Sequence, residues 1–296
     1  TRHRRLLRVI LRLSLKWRCA RIVGVGARLA SEGAGGRRIS MSDPRVYRPA
    51  PRAEAALRLF CFPYAGAGAP VYRLWPQYLP ETVELIAFHP AGRGHRLREA
   101  PLDTIDGMMA ATLDAFEPWM DRPFAFFGHS LGAIVASEAA RVLQAQGRGP
   151  VHLFVSARPP ERKREDEIHH LPCGEFVDAM NRRYQGIPAE IMEQPELLEL
   201  LLPPLRADIR ALEHFHPPAG RPKIASPTTV FGGTRDRQVP VEDLEAWHGE
   251  TSELCRIRTF DGDHFYIDPH RQALVGDIAA TLSAHLGAHR AAPAAQ

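Results

Sequence analysis

Apolar residues fall along the chain in short blocks whose spacing alternates between two periods. Residues 57–62, 124–127, 152–156 and 228–231 are mainly apolar runs with aromatic or β-branched members, and 255–260 is a second strand-like run late in the chain. Turn formers such as Asp121-Arg122-Pro123 and Ser226-Pro227 bound them, and each run predicts a strand. Leu131, Ile134, Val135, Ala139 and Val142 follow helical spacing instead, with Gly147 as the C-terminal stop. Late in the chain, Asp268-Pro269 has the form of an N-cap and first helical residue. Strand and helix patterns in this alternation predict an α/β fold, a mostly parallel sheet flanked by helices.

About seventy residues separate the strands at 152–156 and 228–231, more than one crossover needs, so a helical lid is expected at about 157–216. Its entry, 158–167, is charged and contains prolines, as a hinge would. Residues 174–184, 188–192, 195–202 and 204–215 then read as helices punctuated by proline. Leu197, Leu198, Leu200, Leu201 and Leu202 form an apolar face that either covers an acyl chain or packs the lid on the core.

Charge divides the chain. Residues 1–40 hold 11 of the 38 Lys and Arg and a single acid, Glu32, a net charge of +10 against −6 for the remainder. The basic balance of the whole chain is therefore a property of its first forty residues, and the mildly acidic body argues against nucleic acid as a partner. Residues 41–296 suit one domain with a full core. Residues 1–40 are expected to be a basic extension outside it, disordered or translated from upstream of a Met41 start. Residues 6–17 mix Leu, Val and Ile with Arg as a membrane-surface helix would, but no stretch is long and charge-free enough to span a bilayer or to form a secretory signal. Cys19, Cys61, Cys173 and Cys255 show no Cys-x-x-Cys pairing, which fits a reducing cytoplasm. His169-His170 and the pair His214 and His216 lack further ligands at metal spacing, so neither metal nor cofactor is expected.

The chemistry centres on Gly128-His129-Ser130-Leu131-Gly132, which joins a predicted strand to a predicted helix. Glycine on both sides of a serine lets strand and helix pass closely and leaves the hydroxyl exposed in a sharp turn, a nucleophile elbow. A serine nucleophile needs a base, and the base needs an orienting acid. Two later strands supply them. Residues 228–231 run into Gly232-Gly233-Thr234-Arg235-Asp236, and residues 255–260 into Asp261-Gly262-Asp263-His264-Phe265. Both loops follow the carboxyl ends of strands, where an open α/β sheet places its chemistry. His264 is the expected base and Asp236 its orienter. Asp243, Asp261 and Asp263 compete with Asp236, although Asp243 falls in the next helix and the other two are close to His264 along the chain. One oxyanion donor is expected from the N–H of Leu131, the other from the small-residue loop after residues 57–62. That loop has neither the Lys-Ser or Lys-Thr of a P-loop nor G-x-G-x-x-G spacing, which disfavours a nucleotide site.

Taken together, Phe60-Cys61-Phe62-Pro63-Tyr64-Ala65-Gly66-Ala67-Gly68, Gly92-Arg93, Phe127-Gly128-His129-Ser130-Leu131-Gly132, Leu205-Arg206-Ala207-Asp208, Gly232-Gly233 with Asp236, and Gly262-Asp263-His264-Phe265 resemble the type II thioesterases. These are stand-alone α/β-hydrolases serving polyketide and non-ribosomal peptide synthases. The resemblance spans about residues 55–285 and differs at Pro90-Ala91-Gly92-Arg93, where an alanine is inserted. It implies an α/β-hydrolase fold with Ser130 as nucleophile, Asp236 as acid and His264 as base. Leu131 and Ala65 then supply the oxyanion amides, with Tyr64 as the alternative to Ala65. It further implies hydrolysis of acyl groups from the phosphopantetheine arm of an acyl or peptidyl carrier protein, removing stalled or aberrant acyl groups. Arg162, Lys163 and Arg164 are a candidate carrier-docking patch or a solvated charge run. A small-molecule esterase or lipase is the alternative enzyme, and a catalytically silent hydrolase-fold binding protein the alternative outside enzymes.

Overall fold

The computed structural model describes residues 43–161, 166–184, 192 and 194–291. The basic extension, the Arg162-Lys163-Arg164 run and all but Met192 of the helix expected at 188–192 lie outside the described residues. Seven strands form one sheet: β1 (Val46–Tyr47), β2 (Leu57–Phe62), β3 (Val83–Phe88), β4 (Phe124–His129), β5 (His152–Ser156), β6 (Thr228–Gly233) and β7 (Cys255–Phe260). Their order is β1-β3-β2-β4-β5-β6-β7; β1 is antiparallel to β3 and every other pairing is parallel. The helices are α1 (Ile105–Phe116), α2 (Leu131–Ala145), α3 (Cys173–Tyr184), α4 (Pro195–His214), α5 (Val241–Leu244), α6 (Trp247–Glu250) and α7 (Arg271–Ala291). This is the α/β-hydrolase arrangement the resemblance implies.

Strands covered on both faces are mostly apolar, and every residue of β2, β3, β4 and β6 is buried; the buried charges on β2 and β3, Arg58 and Glu84, pair with each other. Alternation along each strand feeds two cores. Phe60, Phe62, Ile86, Phe88 and Phe126 point toward α1, α2 and the lid. Leu59, Cys61, Leu85, Ala87 and Phe127 point toward Leu274, Val275, Ile278 and Leu282 of α7. Burial of each such Phe or Leu contributes roughly 1.5–3 kcal/mol, so the position of the loops at the carboxyl edge of the sheet is set by many independent contacts.

The expected strands 57–62, 152–156 and 255–260 appear unchanged, while β4 and β6 each run two residues further than expected. Glycine is a poor strand former, but Gly128 pairs with Phe62 and Val155, and Gly232 and Gly233 pair with Thr259 and Phe260. The sheet continues through them because its neighbours supply the hydrogen-bond partners. Helix α2 ends as its sequence indicates: Gly147 N–H bonds Gln144 O (2.9 Å) and Arg148 N–H bonds Leu143 O (2.9 Å), the paired bonds of a Schellman stop.

Two helix expectations are corrected. Residues 195–202 and 204–215 are not separate helices; α4 runs from Pro195 to His214 with Pro203 and Pro204 inside it. Each proline removes a backbone donor, a cost that normally breaks a helix. Here Leu197, Leu202, Leu205, Ile209 and Leu212 form one buried stripe across both segments, and tertiary burial outweighs the local preference. Leu198, Leu200 and Leu201 are only half-buried, so the leucine face divides between core packing and the lid surface. Helix α7 starts at Arg271 rather than Pro269, because turns closed by Asp268 N–H on Phe265 O and His270 N–H on Tyr266 O occupy the intervening residues. Asp243 does lie on α5. Among the described residues no helix is long and apolar enough to cross a membrane, and Cys61, Cys173 and Cys255 are unbridged.

Candidate active site

The site is built on the turn from β4 to α2. Ser130 has φ 53° and ψ −115°, a conformation that side-chain-bearing residues rarely adopt. Its N–H bonds Ser156 O at 2.8 Å, which ties the turn to the end of β5. The flanking glycines are required by space: a Cβ on Gly128 would lie 2.1 Å from Gly132 O, and one on Gly132 would lie 2.1 Å from Phe62 O. Helix α2 is thus drawn against the end of β2, which brings Leu131 next to the loop 63–68. Ser130 is only 6 % exposed.

Two residues more than a hundred positions later in sequence meet it. His264 Nε2 is 3.1 Å from Ser130 Oγ, and His264 Nδ1 is 2.7 Å from Asp236 Oδ2. The other Asp236 oxygen, Oδ1, accepts the N–H groups of Gln238 (2.9 Å) and Val239 (3.1 Å), so the carboxylate is held from behind. Asp236 and His264 are 6 % and 5 % exposed. With Nδ1–H donated to the carboxylate, Nε2 presents its lone pair to the serine hydroxyl, the arrangement needed to take a proton. Asp261 instead pairs with Arg235 at 2.7 Å in an exposed position, and Asp263 Oδ1 accepts Phe265 N–H at 2.8 Å. Neither points at the imidazole. From the lid, the Tyr184 ring lies 5.3 Å from that of His264.

Loop 63–68 follows β2 beside the Ser130 turn. The Gly66 N–H is committed to Asp208 Oδ2 at 2.7 Å and the Ala67 N–H to Tyr64 O at 3.0 Å. The N–H of Ala65, between these committed groups and Pro63, has no acceptor among the described residues. Arg93 donates to Asp208 Oδ2 (2.8 Å), Asp208 Oδ1 (3.0 Å) and Ala67 O (2.9 Å). After the inserted Ala91, Gly92 at φ 80° turns the chain, and Arg93 is buried against the lid helix. Beside Leu131 opens a recess with Phe62, Phe88, Leu102, Met108 and Val135 as apolar walls and Arg93 and Asp208 at its border.

His89 braces the same loop. Its Nδ1 accepts the N–H of Ala69 at 3.2 Å, which leaves Nε2–H to donate to Arg93 O at 3.1 Å. Burial, and then the stacked His95, push the His89 pKa down to about 4. Burial, then His285 and Arg256, push His152 to about 4 as well. A histidine whose folded pKa lies below its unfolded value of about 6.5 takes up its proton preferentially in the unfolded chain. Its contribution is full above pH 6.5 and is lost as pH falls from 6.5 toward 4, on the order of 3 kcal/mol for His89. The urea midpoint is therefore expected to drop between pH 7 and pH 4.5, and to drop less in His89→Gln, whose amide stays neutral.

Two features escaped the sequence reading. The Arg93–Asp208–Gly66 bonds join three segments, and nothing in their spacing along the chain shows that they meet. The fold also brings His169 and His214 together with Glu167, one potential ligand atom of each lying within 4.8 Å of the others. The sequence had indicated no further ligand near either histidine pair. His169 Nδ1 is already bonded to Glu213 Oε2 at 2.6 Å.

Comparison with known proteins gives consistent results. The sequence profile of the thioesterase domain family matches residues 57–282. A Brevibacillus parabrevis protein named linear gramicidin dehydrogenase LgrE is 36 % identical over 248 residues, covering 82 % of this chain and 94 % of its own. Among solved structures, the type II thioesterase BorB from the borrelidin biosynthetic cluster superposes with a TM-score of 0.74 at 32 % identity, covering 81 % of this chain and 98 % of BorB. ClbQ from the colibactin NRPS/PKS pathway gives a TM-score of 0.73 at 31 % identity, with 78 % and 98 % covered.

Proposed function

The chain belongs to the thioesterase family, hydrolases of acyl thioesters, and from that premise we propose that Ser130, His264 and Asp236 are its nucleophile, base and acid. The observation that carries this reading is the unbroken hydrogen-bonded line from Ser130 Oγ through His264 to Asp236. His264 Nε2 takes the hydroxyl proton as Ser130 Oγ attacks the thioester carbonyl. The N–H groups of Leu131 and Ala65 hold the resulting oxyanion, and the tetrahedral adduct collapses as the thiol leaves with the proton from His264. Water, deprotonated by the same imidazole, then releases the acid and restores Ser130. The apolar recess beside Leu131 receives the acyl chain, since its walls offer little to a polar group.

The substrate is an acyl group on the phosphopantetheine arm of a carrier protein, and the role is removal of stalled or aberrant acyl groups from a polyketide or peptide synthase. Support comes from relatives named for the borrelidin cluster and the colibactin NRPS/PKS pathway. The gramicidin relative bears a dehydrogenase name, but here residues 66–71 read Gly-Ala-Gly-Ala-Pro-Val, without the third glycine that a dinucleotide loop needs.

Carrier contacts remote from the thioester contribute binding energy that a short mimic lacks. The same acyl group should therefore be hydrolysed with a kcat/KM about tenfold or more higher on its carrier than on a pantetheine mimic. Assays on both, with an oxygen ester of the same acid alongside, test the reading. Equal efficiency on carrier and mimic with faster cleavage of the ester would make the protein an esterase instead.

A further inference from the structure

The turn that carries the Ala65 amide is closed by one internal bond, the Ala67 N–H on Tyr64 O at 3.0 Å. Gly66 sits at φ 78°, a conformation glycine adopts readily and leaves readily, so the peptide planes beside it need an external anchor. That anchor is on the lid. Asp208 of α4 is 1 % exposed, and its Oδ2 accepts the Gly66 N–H at 2.7 Å. Leu205, one turn earlier on the same helix, is so close that a Cβ on Gly66 would lie 3.1 Å from its Cδ1. A buried carboxylate requires a counter-charge, and Arg93 supplies it through both guanidinium nitrogens while bonding Ala67 O in the same loop. One ion pair therefore fixes the orientation of two loop peptides, Ala65–Gly66 and Ala67–Gly68, and does so from the lid helix.

Resting on the proposed role of Ser130 and the Ala65 amide, we infer that Asp208 is a positioning residue for the oxyanion hole. The lid helix, seated through its ion pair with Arg93, holds the Ala65 N–H toward the reacting carbonyl. Lid and oxyanion hole are thereby one mechanical unit: displacement of α4 withdraws the acceptor from Gly66 and releases the loop. Asp208 touches no substrate atom in this role, and its effect falls on the transition state rather than on substrate binding.

Loss of one oxyanion donor lowers kcat by about a hundredfold or more in serine hydrolases, so Asp208→Ala should lower kcat by about that factor with KM within about threefold of native. Asp208→Asn keeps an acceptor for the Gly66 N–H but not the charge facing Arg93, and should lose about tenfold. The discriminating measurement is binding of two probes. An alkylboronic acid, which forms a tetrahedral adduct with the serine, should lose affinity in step with kcat. A thioether analogue of the acyl-pantetheine, which has no carbonyl to polarise, should bind as it does to the native protein. Equal losses for both probes would leave Asp208 a purely structural residue and overturn the inference, as would a folded Asp208→Ala protein with kcat within about threefold of native. Should the alanine protein not fold, Asp208→Asn decides: unchanged kcat with unchanged boronate affinity overturns the inference. Turnover in a folded Ser130→Ala protein would instead refute the nucleophile assignment on which it rests, so the two failures are distinguishable.

Discussion

Replacing Ser130 with alanine is expected to lower kcat on an acyl thioester by about a thousandfold or more. The folded protein should keep its melting temperature within about 2 °C, because only one hydroxyl is removed. Among the described residues that hydroxyl has a single side-chain partner, His264 Nε2 at 3.1 Å, and the turn itself is held by the Ser130 N–H on Ser156 O and by the close approach of Gly128 and Gly132. Alanine keeps those backbone contacts and takes up the same φ of 53° with no larger a side chain. Circular dichroism and thermal melting establish the fold, and single-turnover hydrolysis measures the chemistry. Near-native hydrolysis by a folded Ser130→Ala protein would remove the elbow from the mechanism.

The second large effect lies behind the serine. His264→Ala removes the only group among the described residues in position to take the Ser130 proton, so its loss should match that of the serine; residues acting as one unit are not additive, and the double variant should be no worse than either alone. Asp236→Asn is subtler. Its remaining oxygen can still accept the Gln238 and Val239 N–H groups, which places the new NH₂ opposite His264 Nδ1. Two donors cannot face each other, so the imidazole adopts the tautomer with Nδ1 bare and Nε2 protonated, and Nε2 then has no lone pair for the hydroxyl. A fall in kcat of about a hundredfold to ten-thousandfold is expected, with KM little changed. Asp243→Asn, on α5, should be close to silent. The reverse outcome, a silent Asp236→Asn and a damaging Asp243→Asn, would reassign the acid.

Much of this architecture was legible in the sequence because it follows from local physics. Runs such as 57–62 and 152–156 are predominantly apolar on both faces, which suits a strand covered on two sides. The glycines around Ser130 and the carboxylate and histidine just past two later strands mark loops at one edge of the sheet, the edge where parallel strands deliver their carboxyl ends. The order of Ser130, Asp236 and His264 could therefore be read without coordinates.

Tertiary structure alone decided what depends on distance between remote segments. Proline at 203 and 204 signals a break, yet α4 continues because its buried stripe gains more from the core than the missing donors cost. Glycine at 128 and at 232–233 signals the end of a strand, yet pairing continues because neighbouring strands supply the bonds. The convergence of Gly66, Arg93 and Asp208 had no sequence signature, since an ion pair is specified by where three chain segments pass and not by their spacing along the chain. Residue types and periodicity fix which elements form and which groups are chemically competent. Which of those groups meet is set by packing, where burial of a charge or an amide is tolerated only if the fold brings its partner within hydrogen-bond reach.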